Sequence, residues 1–154
     1  MPAIAGVSLQ AARARIKYAG RDDLLLVTLH RGTSVAGVFT RSATASAPVQ
    51  WSKKVAASGK ARAILINSGN ANTFTGVQGV ADVRSTAAMA GRAVGCRESD
   101  VLIASTGVIG EPLPLIGFNA PSREWSPGAG PRPGFGRQER LAPPIPIPRV
   151  PCAR

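Results

Sequence analysis

The 154-residue chain is short of histidine, cysteine, aromatic side chains and acid. One histidine, His30, and two cysteines, Cys96 and Cys152, are too few donors for a structural zinc site, so no metal is expected. Aromatics make up 5% of the residues. No apolar run approaches the roughly 18 residues of a membrane span. The start, Met1-Pro-Ala-Ile-Ala-Gly-Val, lacks the basic residues that open a secretory signal. No membrane partner is expected, and a reduced, cytoplasmic setting follows by default. Asp plus Glu number 8 against 19 Lys plus Arg, a net charge of +11. Such a balance ordinarily points to nucleic acid. Here it is spread over two dissimilar parts, +7 up to residue 111 and +4 beyond.

The part rich in apolar periodicity comes first. Gly6–Leu9 reads as a short strand and Ala14–Tyr18 as a second, with Ile16 and Tyr18 alternating against Arg15 and Lys17. Leu24-Leu-Leu-Val-Thr-Leu29 is continuously apolar, the pattern of a central strand, and Val35–Thr40 completes a predicted β-meander. His30 falls in the meander's turns, where a solvated histidine is expected rather than a catalytic one. Pro48 suits the first turn of a helix that runs to about Ser58 and stops at Gly59, with Lys53 and Lys54 on a solvated face.

Residues 61–66 form the next predicted strand and feed a loop from Asn67 to Gly76, dense in Asn, Ser, Thr and Gly. Thr75 and Gln78 have the spacing of a capping box. Val80, Val83, Ala87, Ala90 and Val94 form one apolar stripe of a helix that Gly95 is placed to end. Val101-Leu-Ile-Ala104 is then a buried strand running into a polar turn, Ser105-Thr106-Gly107. Strand, loop, helix and strand predict two parallel strands joined by a crossover. Both polar loops would leave carboxyl ends of parallel strands and share one cleft. Thr106 offers a hydroxyl there and Gly107 an unobstructed N–H, the parts of an oxyanion hole.

Other polar residues have plainer readings. Asn67, Asn70 and Asn72 either brace neighbouring turns or orient substrate, bracing being the commoner role of loop asparagines. Gly69–Gly76 lacks the lysine and spacing of a phosphate-binding loop, so no nucleotide cofactor is expected. Asp22, Asp23, Glu98 and Asp100 read as turn and surface acids, and Cys96 as a buried or half-buried structural thiol.

From Pro112 the composition changes. Eleven of the thirteen prolines lie between Pro112 and Pro151, with six arginines, two glutamates and no lysine. Such a segment forms neither helix nor central strand and is expected to be disordered or polyproline-like. A nucleic-acid-binding arm and a Pro-rich recognition segment are two readings of it. Scattered single arginines weigh against the arm, and translation outside the ancestral reading frame is the third reading, favoured by the abrupt loss of periodicity and the Pro, Arg and Gly enrichment.

Four stretches together resemble one family. Val35-Ala-Gly-Val-Phe-Thr40, Ser46-Ala-Pro-Val49, Ile66-Asn-Ser-Gly-Asn-Ala-Asn72 with Thr75-Gly76, and Ala104-Ser-Thr-Gly-Val-Ile-Gly-Glu-Pro-Leu-Pro114 look like the N-terminal part of the α chain of bifunctional ornithine acetyltransferases. The resemblance covers residues 1–114 and leaves 115–154 as an unrelated Pro/Arg-rich tail. It implies an α/β sandwich with a β-meander and then a β-α-β unit. It also implies an arginine-biosynthesis enzyme that moves acetyl from N-acetylornithine to glutamate through a threonine ester, some members also using acetyl-CoA. That threonine becomes the first residue of a β chain by self-cleavage of a precursor. By match to the motif, Thr106 and Gly107 are the oxyanion-hole residues, with no cofactor. The chain departs from the family in having no Thr-Met pair, Met1 and Met89 being its only methionines. The nucleophile is therefore absent, and this chain alone is expected to be inactive. The alternative function is a non-catalytic basic protein that binds nucleic acid through its tail.

Overall fold

The structure, a computed structural model, describes residues 4–115 and residue 118. β1 (Val7–Ala12), β2 (Leu24–Leu29), β3 (Ala63–Asn70) and β4 (Val101–Val108) form one sheet in the order β1-β2-β3-β4. The first two pairings are antiparallel and β3–β4 is parallel. Helix α1 (Ala47–Ala56) precedes β3, and α2 (Gly76–Val94) makes the crossover to β4, ending at Gly95 with φ 72°. The mixed α/β class and the β-α-β unit expected from the pattern are both present.

One face of the sheet carries the core. Ala12, Leu24, Leu26, Ala63, Leu65, Val101 and Ile103 pack against Val83, Ala87 and Ala90 of α2. Alternate residues on the other face, Leu25, Val27, Ile64, Ile66 and Leu102, are half-buried although apolar. The unbroken hydrophobic run of β2 is thus that of a strand made for cover on both sides.

Among the described residues β4 is the last strand of the sheet, so its outer N–H and C=O groups have no strand beside them. α1 closes part of that edge. The Ser52 hydroxyl donates to the Ile103 carbonyl (2.7 Å) and accepts from the Ile103 N–H (2.8 Å), and the Trp51 indole donates to the Val101 carbonyl (2.9 Å).

Several local expectations are overturned. Ala14–Tyr18 is not a strand, because the Asp23 carboxylate takes the N–H groups of Ala14 (2.6 Å) and Ile16 (2.7 Å) that a ladder would use. Arg15 between them has φ 54°. Asp23 is accordingly buried, at 4% exposure, and is not the surface acid its turn position suggested. Val35–Thr40 is not a strand either. β3 occupies the place beside β2, and the segment keeps only a bridge between Ser34 and Lys60, with Val38 wholly exposed. The capping box does not form: the Thr75 hydroxyl donates to Asn72 Oδ1 (2.6 Å) and the Gln78 amide to Asp82 Oδ1 (2.7 Å). Val80, assigned to the buried stripe of α2, is exposed. The tail set apart from residue 115 by its composition lies, except for residues 115 and 118, outside the described residues, and so does its expected disorder.

Candidate active site

Thr106 and Gly107 do not form a turn after the last strand. They continue it, paired in parallel register with Ser68 and Gly69, and Val108 pairs with Asn70. The polar loop expected from Asn67 is likewise strand as far as Asn70. The loops that follow the two strands are joined, since Ala71 N–H donates to the Val108 carbonyl and Gly110 N–H to the Thr73 carbonyl, both at 2.9 Å. The carboxyl ends of β3 and β4 thus form one place, as the crossover predicted.

Glycine is required there. Gly107 has φ 133°, and a Cβ on it would lie 2.2 Å from the Gly69 carbonyl carbon and 2.5 Å from Asn70 N. Gly69 has φ 115°, and a Cβ there would lie 2.9 Å from Lys17 Cβ. The backbone around residue 17, Gly69 and Gly107 therefore stack in close approach, a geometry open only to residues without side chains.

Buried asparagines hold this end together. Asn67 donates through its amide to the Asn70 carbonyl (2.8 Å), and Asn70 Oδ1 accepts from Asn72 N–H (2.8 Å). The Asn70 amide donates to the carbonyls of Glu111 (3.0 Å) and Pro112 (3.1 Å), tying the exit of β4 to that of β3. The Asn72 amide donates to the Gly79 carbonyl in α2 (2.9 Å). All three asparagines are 2% exposed or less, so their side chains brace the backbone. Across this network Lys17 Nζ meets both Glu111 carboxylate oxygens at 2.8 Å.

Thr106 itself is exposed, and among the described residues its hydroxyl has no hydrogen-bond partner. An open hydroxyl beside a glycine on a braced strand end can donate to a ligand's oxygen. His30 lies at the opposite end of the sheet, exposed, with Nδ1 2.8 Å from the Arg31 carbonyl. Cys96 is a half-buried free thiol, as read from its place beyond the helix end. Burial and the nearby Asp100 push that thiol's pKa up, with Arg62 opposing them. Sequence reading missed Gly69 as the partner of Gly107, although reading the two Ser-Gly and Thr-Gly strand ends in parallel register would have found it. Lys17 and Glu111, 94 residues apart, gave no local signal.

Fold and site together define a mixed α/β domain whose polar loops gather at the carboxyl ends of two parallel strands. The chain belongs to the ArgJ family, whose model matches residues 8–127. It is 54% identical over 119 residues to the arginine biosynthesis bifunctional protein ArgJ of Bradyrhizobium diazoefficiens, covering 77% of this chain and 29% of that protein. With the protein of the same name from Agrobacterium fabrum it shares 54% over 118 residues, 77% of this chain and 29% of the relative. Among solved structures, ornithine acetyltransferase of Mycobacterium tuberculosis, complexed with ornithine, superposes with a TM-score of 0.73 at 37% identity, over 77% of this chain and 64% of that one. The ArgJ protein of Bacillus halodurans gives 0.70 at 32% identity, over 75% and 61% of the two chains. The chain thus spans under a third of the length of these curated relatives.

Proposed function

We propose that this chain is the N-terminal part of an arginine-biosynthesis acetyltransferase and supplies the oxyanion hole for acetyl transfer from N-acetylornithine to glutamate. The observation that carries the reading is the close stacking of Gly107 on Gly69, which leaves the exposed Thr106 hydroxyl unpartnered beside it. Ornithine is what N-acetylornithine becomes on losing its acetyl group, and the solved Mycobacterium relative is complexed with it.

In this reading a threonine attacks the acetyl carbonyl, and negative charge gathers on the carbonyl oxygen. The Thr106 hydroxyl and the Gly107 N–H donate to that oxygen, each such donor being worth roughly 10² to 10³ in rate. The nucleophile and most substrate contacts come from the part of the family's length that this chain does not span, and the chain alone is inactive. Division of a precursor into two chains fits the coverage. The matched stretch is 29% of the Bradyrhizobium relative but 64% of the solved Mycobacterium chain, so the latter is less than half as long. A β chain from the same precursor is the partner proposed for the open apolar face of Leu25, Val27, Ile64, Ile66 and Leu102.

No cofactor is assigned, and nucleic acid has no role. Among the described residues no helix is long and apolar enough to cross a membrane, and a cytoplasmic setting belongs to the same proposal. So does the division into residues 1–114 and a separate tail, although the family match runs on to residue 127.

The test is acetyl transfer from N-acetylornithine to glutamate, measured for this chain alone and with an in-frame continuation of family length. No turnover is expected from the first. The second should be active and should lose roughly 10²-fold or more in kcat on Thr106→Ala. Turnover by the chain alone, or full activity in that variant, would overturn the reading.

A further inference from the structure

At the other end of the sheet lies an open groove of about 580 Å³, lined by Ser8, Thr28, Leu29, His30, Arg31 and Arg62 among others. Three segments converge on it through the ladder: Ser8 pairs with Thr28, His30 N–H donates to the Gly6 carbonyl (2.8 Å), and Leu29 N–H donates to the Arg62 carbonyl (2.9 Å). Arg62 immediately precedes β3, whereas Ser68, the partner of Thr106, is six residues on, about 20 Å along the strand.

The charges in this groove are unbalanced. No Asp or Glu lines it. Arg62 is half-buried, and its Nε is the one buried side-chain nitrogen or oxygen among the described residues with no hydrogen-bond partner. A guanidinium N–H buried without an acceptor gives up its hydrogen bond to water and gains none in return. Asp100 is close in the chain fold, its carbonyl accepting from Arg62 N–H, but its carboxylate is held by Arg97 at 3.0 and 3.1 Å. Arg31 has no ion pair among the described residues either, whereas Arg13, Lys17, Arg84 and Arg97 each have one.

We propose that this groove binds a phosphate-type oxyanion, held by the guanidiniums of Arg31 and Arg62 with the hydroxyls of Ser8 and Thr28. One guanidinium fork already satisfies a planar carboxylate. Two guanidiniums and two hydroxyls from three segments suit an anion with more oxygens and a charge near −2.

Inorganic phosphate titrated into the 154-residue chain at about 150 mM salt, where charges beyond about 8 Å are screened, tests this by calorimetry and ³¹P line broadening. One saturable site is expected, weakened at least tenfold by Arg62→Gln and by Arg31→Gln. It should be unchanged within twofold by Lys53→Gln with Lys54→Gln, which removes two charges elsewhere. Far-UV circular dichroism checks each variant. Should Arg62→Gln misfold, Arg31→Gln, in an exposed turn, carries the test. Absence of saturation, equal weakening by the lysine pair, retention of binding in a folded arginine variant, or acetate competing as well as phosphate would each overturn the proposal.

Discussion

Replacing Gly107 with alanine adds a single methyl group where, among the described glycines, an added Cβ would come nearest to backbone atoms. That methyl would lie 2.2 Å from the Gly69 carbonyl carbon, 2.5 Å from Asn70 N and 2.6 Å from Gly69 O. All three are backbone atoms of the paired strands, one step from the carboxyl end of the ladder, so none can swing aside as a flexible side chain would. The φ of 133° adds a second cost, about 1–3 kcal/mol for holding an L-residue in that region. Overpacking adds about 1–3 kcal/mol. The sum, about 2–6 kcal/mol, is a large part of the 5–15 kcal/mol that ordinarily holds a domain folded. At roughly 4–8 °C per kcal/mol, the melting temperature should fall by about 10 °C or more. Gly110→Ala is the matched control. It has φ 81° but nothing within 4 Å of the added Cβ, so it should lose only the conformational part, about 1 kcal/mol. Urea and thermal unfolding of the two variants side by side decide the matter. If Gly107→Ala were no less stable than Gly110→Ala, the close approach of β3 and β4 would not be the constraint described.

Two further outcomes follow from buried groups. Asp23→Ala strands the N–H groups of Ala14 and Ile16, and at about 1–3 kcal/mol each should cost about 2–6 kcal/mol in urea unfolding, with Asp23→Asn in between. A loss under about 0.5 kcal/mol would refute the bracing role. Cys96 titrates above its ordinary 9.0 when folded, so the unfolded chain releases that proton first. Its stabilising contribution is whole below pH 9.0 and lost as pH rises through the raised folded value. Melting temperature against pH should therefore decline more steeply above pH 9.0 in the parent than in Cys96→Ala, both in a Cys152→Ser background. Parallel curves would count against it.

How far the sequence was legible depended on how local each interaction is. β2, α1, α2 and the Gly95 cap were readable because periodicity, Pro48 and Gly95 act within a few residues of themselves. Ala14–Tyr18 has strand-like alternation and buries Ile16, yet its N–H groups go to a carboxylate seven to nine residues on. Val35–Thr40 has strand composition and carries a family motif, but β3 occupies the place beside β2. Thr75 and Gln78 had the right spacing for a capping box, and Asn72 and Asp82 offered nearer acceptors. At the candidate site, Thr106 and Gly107 were legible as residue types at a strand's end, while their place inside the parallel ladder was not.

The sequence by itself determined the α/β class, the β-α-β unit, the family resemblance and the gathering of polar loops at one end of the sheet. Each of these rests on composition and short-range spacing, which a linear chain displays. Only the tertiary structure decided that Gly107 stacks on Gly69 under the backbone at Lys17, that Ser52 and Trp51 cap the edge of β4, and that Arg62 is left without an acceptor. Those facts arise from segments 38 to 52 residues apart brought within van der Waals or hydrogen-bonding reach, and nothing local in the chain specifies such meetings.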